Sequence, residues 1–322
     1  MAGVSVRPDG CRVACVPGGM NMKTVLVTGA SGLVGGALTQ GLQADGHRVV
    51  PLPRFGGEVP AGVAGWNPAA GVCVLPADLN PQVVIHLAGE NAGSLRWTAA
   101  KKRRIVQSRV DGARTLVAAL LARPQPPELV LMASAVGWYG DTGDRPADEE
   151  DGPGEGFLAD VCRQVEPLAA PLTQAGVRVV QARFGVVLSP RGGALQRLLP
   201  SFRLGLGGPV GSGRQWFSWV ALPELVQMVR FAMHTPALAG PVNFVAPGAV
   251  PYRDFAAALG RAVHRPARLP LPAPVVRALF GEMGEQMLLA SSRVVPGRLS
   301  QAGYRFCHPT IDAALAAVLG ER

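Results

Sequence analysis

The stretch "TGASGLVG" places Gly29, Gly32 and Gly35 at a G-x-x-G-x-x-G spacing. That residue type at that spacing suits a pyrophosphate. The first glycine permits a tight turn, the second lets the backbone approach the phosphates, and the third lets a helix pack closely on a strand. A helix opening here turns its free N–H groups and positive dipole end toward the anion. A simple tight connection does not need three glycines in register. Ser31, Leu33 and Val34 fill the same turn and join the glycines as candidate cofactor contacts. The next position to discriminate lies at the end of the following apolar run. An acidic residue about 20 positions after such a motif holds the free ribose hydroxyls of NAD. Here the run ends "PLPRFGG", with Arg54 and no carboxylate before it. Arginine there suits the 2′-phosphate of NADP, so NADP(H) is expected ahead of NAD. The competing reading is a plain surface arginine.

The elements that position these groups follow from hydrophobic pattern. "TVLVTG" predicts a buried strand. "LVGGALTQGLQADG" predicts a helix with Leu33, Ala37, Leu38 and Leu42 on one side and Gly46 as its stop. "HRVVPL", "PQVVIHLAG", "ELVLMASA" and "GVRVVQARFGVVL" predict further strands. Continuous apolar strands separated by helices mean a parallel sheet covered on both faces. The expected class is α/β, a doubly wound parallel sheet (Rossmann fold) with a smaller C-terminal α/β cap. After Ser189 the chain turns to glycine and aromatics in "RGGALQRLLPSFRLGLGGPVGSGRQWFSWV". "GPVNFVAP" predicts one more strand, and "PYRDFAAALGRAV" and "LPLPAPVVRALFGEMGEQMLL" predict helices. The expected division is a flexible extension over 1–21, a dinucleotide-binding domain over 22–188 and a cap over 189–322, part of which returns to the sheet. "GLGGPVGSG" is expected to be a flexible loop over a substrate pocket.

Composition bounds the partners. With 322 residues, 48% hydrophobic and only 16% charged, the chain is globular and not disordered. No apolar run reaches the roughly 18 residues of a membrane span. The formal net charge is +9, carried by arginine, since Lys23, Lys101 and Lys102 are the only lysines. A basic balance favours an anionic ligand such as a nucleotide. The dense cluster "KKRRIVQSR" reads as a solvated helix face, and no nucleic-acid motif accompanies it. Five scattered cysteines argue against a disulfide scaffold, and no spacing suits zinc or another metal. The first residues make a poor signal peptide, and Met22 would be a natural start. The expectation is a cytoplasmic monomer or homodimer acting on a small molecule, with no nucleic-acid and no membrane partner.

In order along the chain, "TGASGLVG", "VIHLAGEN", "MASAVGWYG" and "RFGVVL" resemble the short-chain dehydrogenase/reductase superfamily, extended type. "RWTAAKKRRIVQSRV", "FRLGLGGPVGSGRQWFSW" and "LPAPVVRALFGEMGEQMLLASSRVVPGRL" are similar to one atypical subgroup of it. That subgroup is labelled NAD-dependent epimerase/dehydratase-like and sometimes cell-division-inhibitor-like. It carries its own C-terminal domain, here at about 267–319, and the resemblance covers Met22 to about Leu319. It implies that Leu87, Ala88 and Gly89 line the adenine and ribose side, with Glu90 and Asn91 at the turn that follows. It implies that Arg109 reaches the cofactor groove from the next helix. Ala133 belongs with these contacts, and Val186 and Val187 approach the nicotinamide.

The resemblance also implies a catalytic face. The superfamily uses a Tyr as acid or base, a Lys four residues later, and a Ser or Thr on the preceding strand. A phenol of pKa near 10 needs such a cation to act at neutral pH. Anchoring "FLADVCRQVE" on Glu166 puts Cys162 where the Lys belongs and Leu158 where the Tyr belongs. Ser134 remains as the strand hydroxyl, while anchoring on "YG" would put Ala135 there. Ser134 and Tyr139 are the catalytic candidates, Tyr139 also reading as structural or as part of a lid with Trp138. Cys162 reads as a nucleophile or, more often for such a site, a buried inert thiol. His86 reads as a core residue, and Asp141 and Asp144 as solvated. Trp97, Phe217, Ser218 and Trp219 read equally as pocket walls or as packing between cap and sheet. Two functions stay open. One is an NADP(H)-binding oxidoreductase or nucleotide-sugar epimerase-like protein lacking the Tyr/Lys pair. The other is a non-catalytic NADP(H)-binding regulatory or interaction protein, the cell-division label pointing that way.

Overall fold

The computed structural model describes residues 22–60, 62–93 and 96–320. The expected extension over 1–21, with Cys11 and Cys15, lies outside the described residues. Strands are β1 (Thr24–Thr28), β2 (Arg48–Leu52), β3 (Gly65–Asn67), β4 (Val72–Val74), β5 (Val83–His86), β6 (Leu129–Ala135), β7 (Arg178–Phe184), β8 (Val186–Leu188), β9 (Trp216–Phe217), β10 (Trp219–Ala221), β11 (Gly240–Phe244) and β12 (Val250–Pro251). Helices are α1 (Leu33–Ala44), α2 (Ala99–Leu121), α3 (Phe157–Val165), α4 (Ala170–Gln174), α5 (Gly193–Arg203), α6 (Leu222–His234), α7 (Tyr252–Ala262), α8 (Ala273–Phe280), α9 (Glu282–Gly284), α10 (Gly297–Gln301) and α11 (Ile311–Leu319).

The main sheet has six strands in the order β11-β7-β6-β5-β1-β2, all parallel. Alternation decides its two faces. Val25, Val27, Ile85 and Leu131 pack with α1 and α6 residues such as Leu38 and Met228. The intervening Leu26, Val84 and Val130 pack on the other face with α2 and α3 residues such as Leu116 and Val161. Strand β1 lies between β2 and β5, so the order reverses there. Such a switch point opens a crevice at the carboxyl ends of the strands.

β11 returns from the C-terminal half to pair with β7, so the sheet runs well past residue 188. "GVRVVQARFGVVL" does not stay in one strand. At Gly185 an added Cβ would stand 2.8 Å from Val245 Cγ1, and the chain bends there. β8 then leaves the sheet to pair with β10, while β9 pairs with β12. A short β3–β4 hairpin, which the sequence pattern did not announce, follows β2.

The expected lid is instead fastened down. Leu269 N donates to Gly207 O at 3.1 Å, Leu271 N to Pro209 O at 2.8 Å and Gly211 N to Leu271 O at 2.9 Å. Gln215 Nε2 donates to Val210 O and Leu288 O, each at 2.9 Å. An added Cβ at Gly208 would meet Leu269 O at 2.1 Å. Gly208 therefore serves close backbone approach, while Gly205, Gly211 and Gly213 supply positive φ.

Among the described residues no helix is long and apolar enough to cross a membrane, and no group of His, Cys, Asp and Glu could hold a metal ion. Among the described residues Cys73 and Cys162 are free thiols, and Cys307 is disulfide-bonded.

Candidate functional site

The groove begins at the end of β1. The buried Thr28 Oγ1 accepts the N–H groups of Leu87 and Ala88 at 3.1 and 3.2 Å and stands 2.8 Å from His86 Nδ1. Because that oxygen accepts twice, its own proton is left for Nδ1, and the ring carries its hydrogen on Nε2. Burial pushes His86 down to about 4, with the Arg109 charge adding to it, so the ring is neutral. His86 is the core residue that the sequence suggested.

This arrangement seats Leu87, Ala88 and Gly89 against the glycine turn. Gly29 has φ +70°, and a Cβ there would lie 3.0 Å from Ala88 N. At Gly35 a Cβ would lie 2.2 Å from Gly29 O. Gly32 is the N-cap of α1 and offers no side-chain cap. The amides of Leu33, Val34 and Gly35 thus have no acceptor within the helix, beside the exposed Ser31. These open donors and the small residues around them fit a pyrophosphate. Leu33 also touches the turn after β8: a Cβ on Gly192 would stand 3.2 Å from it. That contact brings the turn near Val187.

Arg54 lies just past β2. The hairpin holds its backbone extended, with Trp66 N donating to Pro53 O at 3.0 Å and Phe55 N to Trp66 O at 2.8 Å. Its side chain is exposed and in no ion pair among the described residues. Arg109 reaches from α2 to Gly89, where an added Cβ would stand 3.2 Å from its Cζ. Its Nη1 donates to Glu90 O at 2.9 Å and Ile105 O at 3.1 Å. The Glu90 carboxylate turns to α2 and pairs with Lys101 Nζ at 2.5 Å, which holds its pKa below the usual range.

The other end of the groove is built differently. Ser134, near the end of β6, donates to Glu166 Oε1 at 2.6 Å. Arg183 on β7 grips the same carboxylate through Nε at 2.9 Å and Nη2 at 2.8 Å. Its Nη1 donates to Tyr139 Oη at 2.9 Å, and Tyr139 donates to Asn243 Oδ1 at 2.8 Å. Arg183 also lies over the Trp138 ring, 4.1 Å from its centroid. Asn243 on β11 continues the chain, donating from N to Glu149 Oε1 at 2.8 Å and from Nδ2 to Val295 O at 2.9 Å. Burial pushes Tyr139 up to about 12, although Arg183 opposes that shift. A phenol so placed is a structural donor and a poor base near neutral pH. Cys162 is buried, and burial raises its thiol above the ordinary value. Leu158 packs against Gly137.

The remaining candidates resolve toward packing. Trp97 meets Phe157 edge-on at 5.0 Å, and Phe217 stacks near Phe255 at 4.6 Å. Trp219 is fully buried, with Nε1 bonded to Gly248 O. Ser218 Oγ donates to Ser292 O at 2.6 Å. Asp144 accepts Trp216 Nε1 at 2.8 Å, and Asp141 caps its own loop by accepting Gly143 N at 2.9 Å. Sequence reasoning passed over Arg183, Asn243 and Glu149. Arg183 left a signal, because a charge inside an apolar strand demands a buried partner.

A Rossmann sheet with a glycine-rich β1–α1 turn, an open helix start and a crevice at the switch point defines a dinucleotide-binding protein of the extended short-chain dehydrogenase/reductase class. Residues 25–245 match the NAD dependent epimerase/dehydratase family, and the chain belongs to that family. Residues 271–318 match a domain of unknown function. The chain is 43% identical over 293 residues to epimerase family protein Mb2239 of Mycobacterium bovis, which covers 90% of this chain and 96% of that one. The structure of human epimerase family protein SDR39U1 (isoform 2), solved with NADPH, superposes with a TM-score of 0.84 at 33% identity, over 93% of this chain and 100% of that one. A nucleoside-diphosphate sugar epimerase from Corynebacterium glutamicum superposes with a TM-score of 0.74 at 35% identity, over 93% of this chain and 59% of that one.

Proposed function

We propose that this chain is an NADP(H)-binding oxidoreductase of the epimerase family that works without the Tyr/Lys pair. The observation that carries the reading is the uncapped start of α1 over its glycine turn, with Arg54 just past β2, exposed and in no ion pair among the described residues, for a 2′-phosphate. The similar human protein crystallised with NADPH supports the same cofactor. When bound, the nicotinamide supplies or accepts a hydride. Ser31, Gly32, Leu33 and Val34 would hold the pyrophosphate, and Leu87, Ala88, Gly89 and Arg109 the ribose side. Ser134 is the group proposed to meet substrate. Its proton is committed to Glu166, so its oxygen is left to accept, which suits a substrate hydroxyl. Titration with NADPH and NADH tests the cofactor, and equal affinities would sink the Arg54 argument. A screen of alcohols, carbonyl compounds and nucleotide sugars, read by NADPH absorbance, tests the chemistry.

A second reading keeps the cofactor and drops the reaction. Leu158 and Cys162 stand where the acid/base pair would be, and Tyr139 is tied into a buried network. On this reading NADP(H) is a structural or signalling ligand of a regulatory protein. Full rescue of a deletion strain by Ser134→Ala, with no turnover in the screen, would favour it.

A further inference from the structure

Three exposed leucines cluster on the C-terminal part of the molecule. Leu204 is 73% exposed, Leu206 59% and Leu269 53%. They come from two segments laid side by side: Arg265 Nε donates to Arg203 O at 3.0 Å, and Leu269 N to Gly207 O at 3.1 Å. The turn between α7 and Arg265 contains His264 at φ +55°, the one non-glycine with positive φ among the described residues. That strained turn sets Arg265 beside Arg203. Arg203, Arg265 and Arg268 lie on the same two segments, are exposed, and form no ion pair among the described residues. A cleft of about 580 Å³ opens alongside, lined by His264, Arg265 and Arg268 among others. Neither the cofactor groove nor the Ser134 network uses any of these residues.

We propose that this patch docks the protein on an anionic lipid bilayer, the leucines entering the interface and the arginines meeting headgroup phosphates. Exposed apolar side chains in a cluster mark an interaction surface, and cationic side chains on the same segments select an anionic one. A second copy of the chain would bring the same arginines and the same +9 charge to the contact, setting like charges together. A nucleic-acid backbone would satisfy the arginines and leave the leucines in water. The proposal departs from the sequence expectation of no membrane partner. It concerns surface attachment and not a crossing helix, and it stands apart from the proposed reaction.

The test is sedimentation of the full chain with vesicles of phosphatidylcholine alone and of phosphatidylcholine with phosphatidylglycerol. The expected result is capture by the anionic vesicles, little by the neutral ones, and release by high salt. The triple variant Leu204→Ser, Leu206→Ser, Leu269→Ser should lower the partition coefficient by about tenfold or more at unchanged melting temperature. Arg203→Gln, Arg265→Gln and Arg268→Gln together should remove the preference for anionic vesicles. Absence of capture, or equal capture of the leucine variant, overturns the proposal. A dimer that the leucine variant dissolves, without vesicle capture, would assign the patch to a second copy. Retention on duplex DNA that only the arginine changes abolish, again without vesicle capture, would assign it to nucleic acid.

Discussion

At the β1–α1 turn the amides of Leu33, Val34 and Gly35 have no acceptor in their helix and Gly32 supplies no cap, whereas around α3 Ser134, Glu166, Arg183, Tyr139 and Asn243 bond one another. The first region is left open for a ligand. The second is already satisfied by the protein, and its polar groups hold three strands and a helix in place. The same fold thus holds one polar region open and another closed by its own hydrogen bonds. Ser134, at the edge of the closed region, is where the two regions meet.

The largest expected effect breaks the second region. Arg183→Met leaves Glu166 buried without its partner and should cost about 3–5 kcal/mol in denaturant unfolding. Adding Glu166→Leu should recover most of that loss; no recovery would mean that the network does more than satisfy itself. In the first region, Gly35→Ala drives a Cβ to 2.2 Å from Gly29 O and should cost about 3 kcal/mol while abolishing NADPH binding. Retained binding would show that the turn can shift.

Acid should attack the first region through His86. The unfolded ring binds a proton below its ordinary value of 6.5, whereas the buried ring resists until about 4. Between those values the unfolded state holds more protons, so stability rises with pH there and is lost as pH falls through the window. The loss amounts to about 3 kcal/mol at most. His86→Asn should flatten the melting temperature across that window, and an unchanged slope would assign it to another group. The smallest effect sharpens cofactor choice. Arg54→Ala should weaken NADPH about tenfold, some 1.4 kcal/mol, and leave NADH unchanged in a fluorescence titration.

Much of this was legible in the residues. Continuous runs such as "TVLVTG" and "ELVLMASA" announced the sheet, because a strand buried on both faces must be apolar throughout. The glycine turn was legible because each glycine answers a separate steric demand. Short pieces were not: β3, β4, β9 and β12 have two or three residues each, too few for a period to show. The fate of "GLGGPVGSG" was hidden because its partners, Leu269 and Leu271, lie some sixty residues on. Glycine reads alike whether it grants mobility or close contact. The Glu166–Arg183 pair joins a helix end to a strand, and neither charge names its partner from sequence alone.

β11 has a consequence for how the protein is made. A ribosome delivers β7 long before Gly240–Phe244, so the nascent sheet carries an open edge while α5, α6 and the loops between are synthesised. Arg183 and Tyr139 wait as long for Asn243, and Asn243 in turn for Val295. A chain ending at residue 188 lacks β11, so the β7 edge and the Arg183–Tyr139 pair are without the partners they have in the full chain.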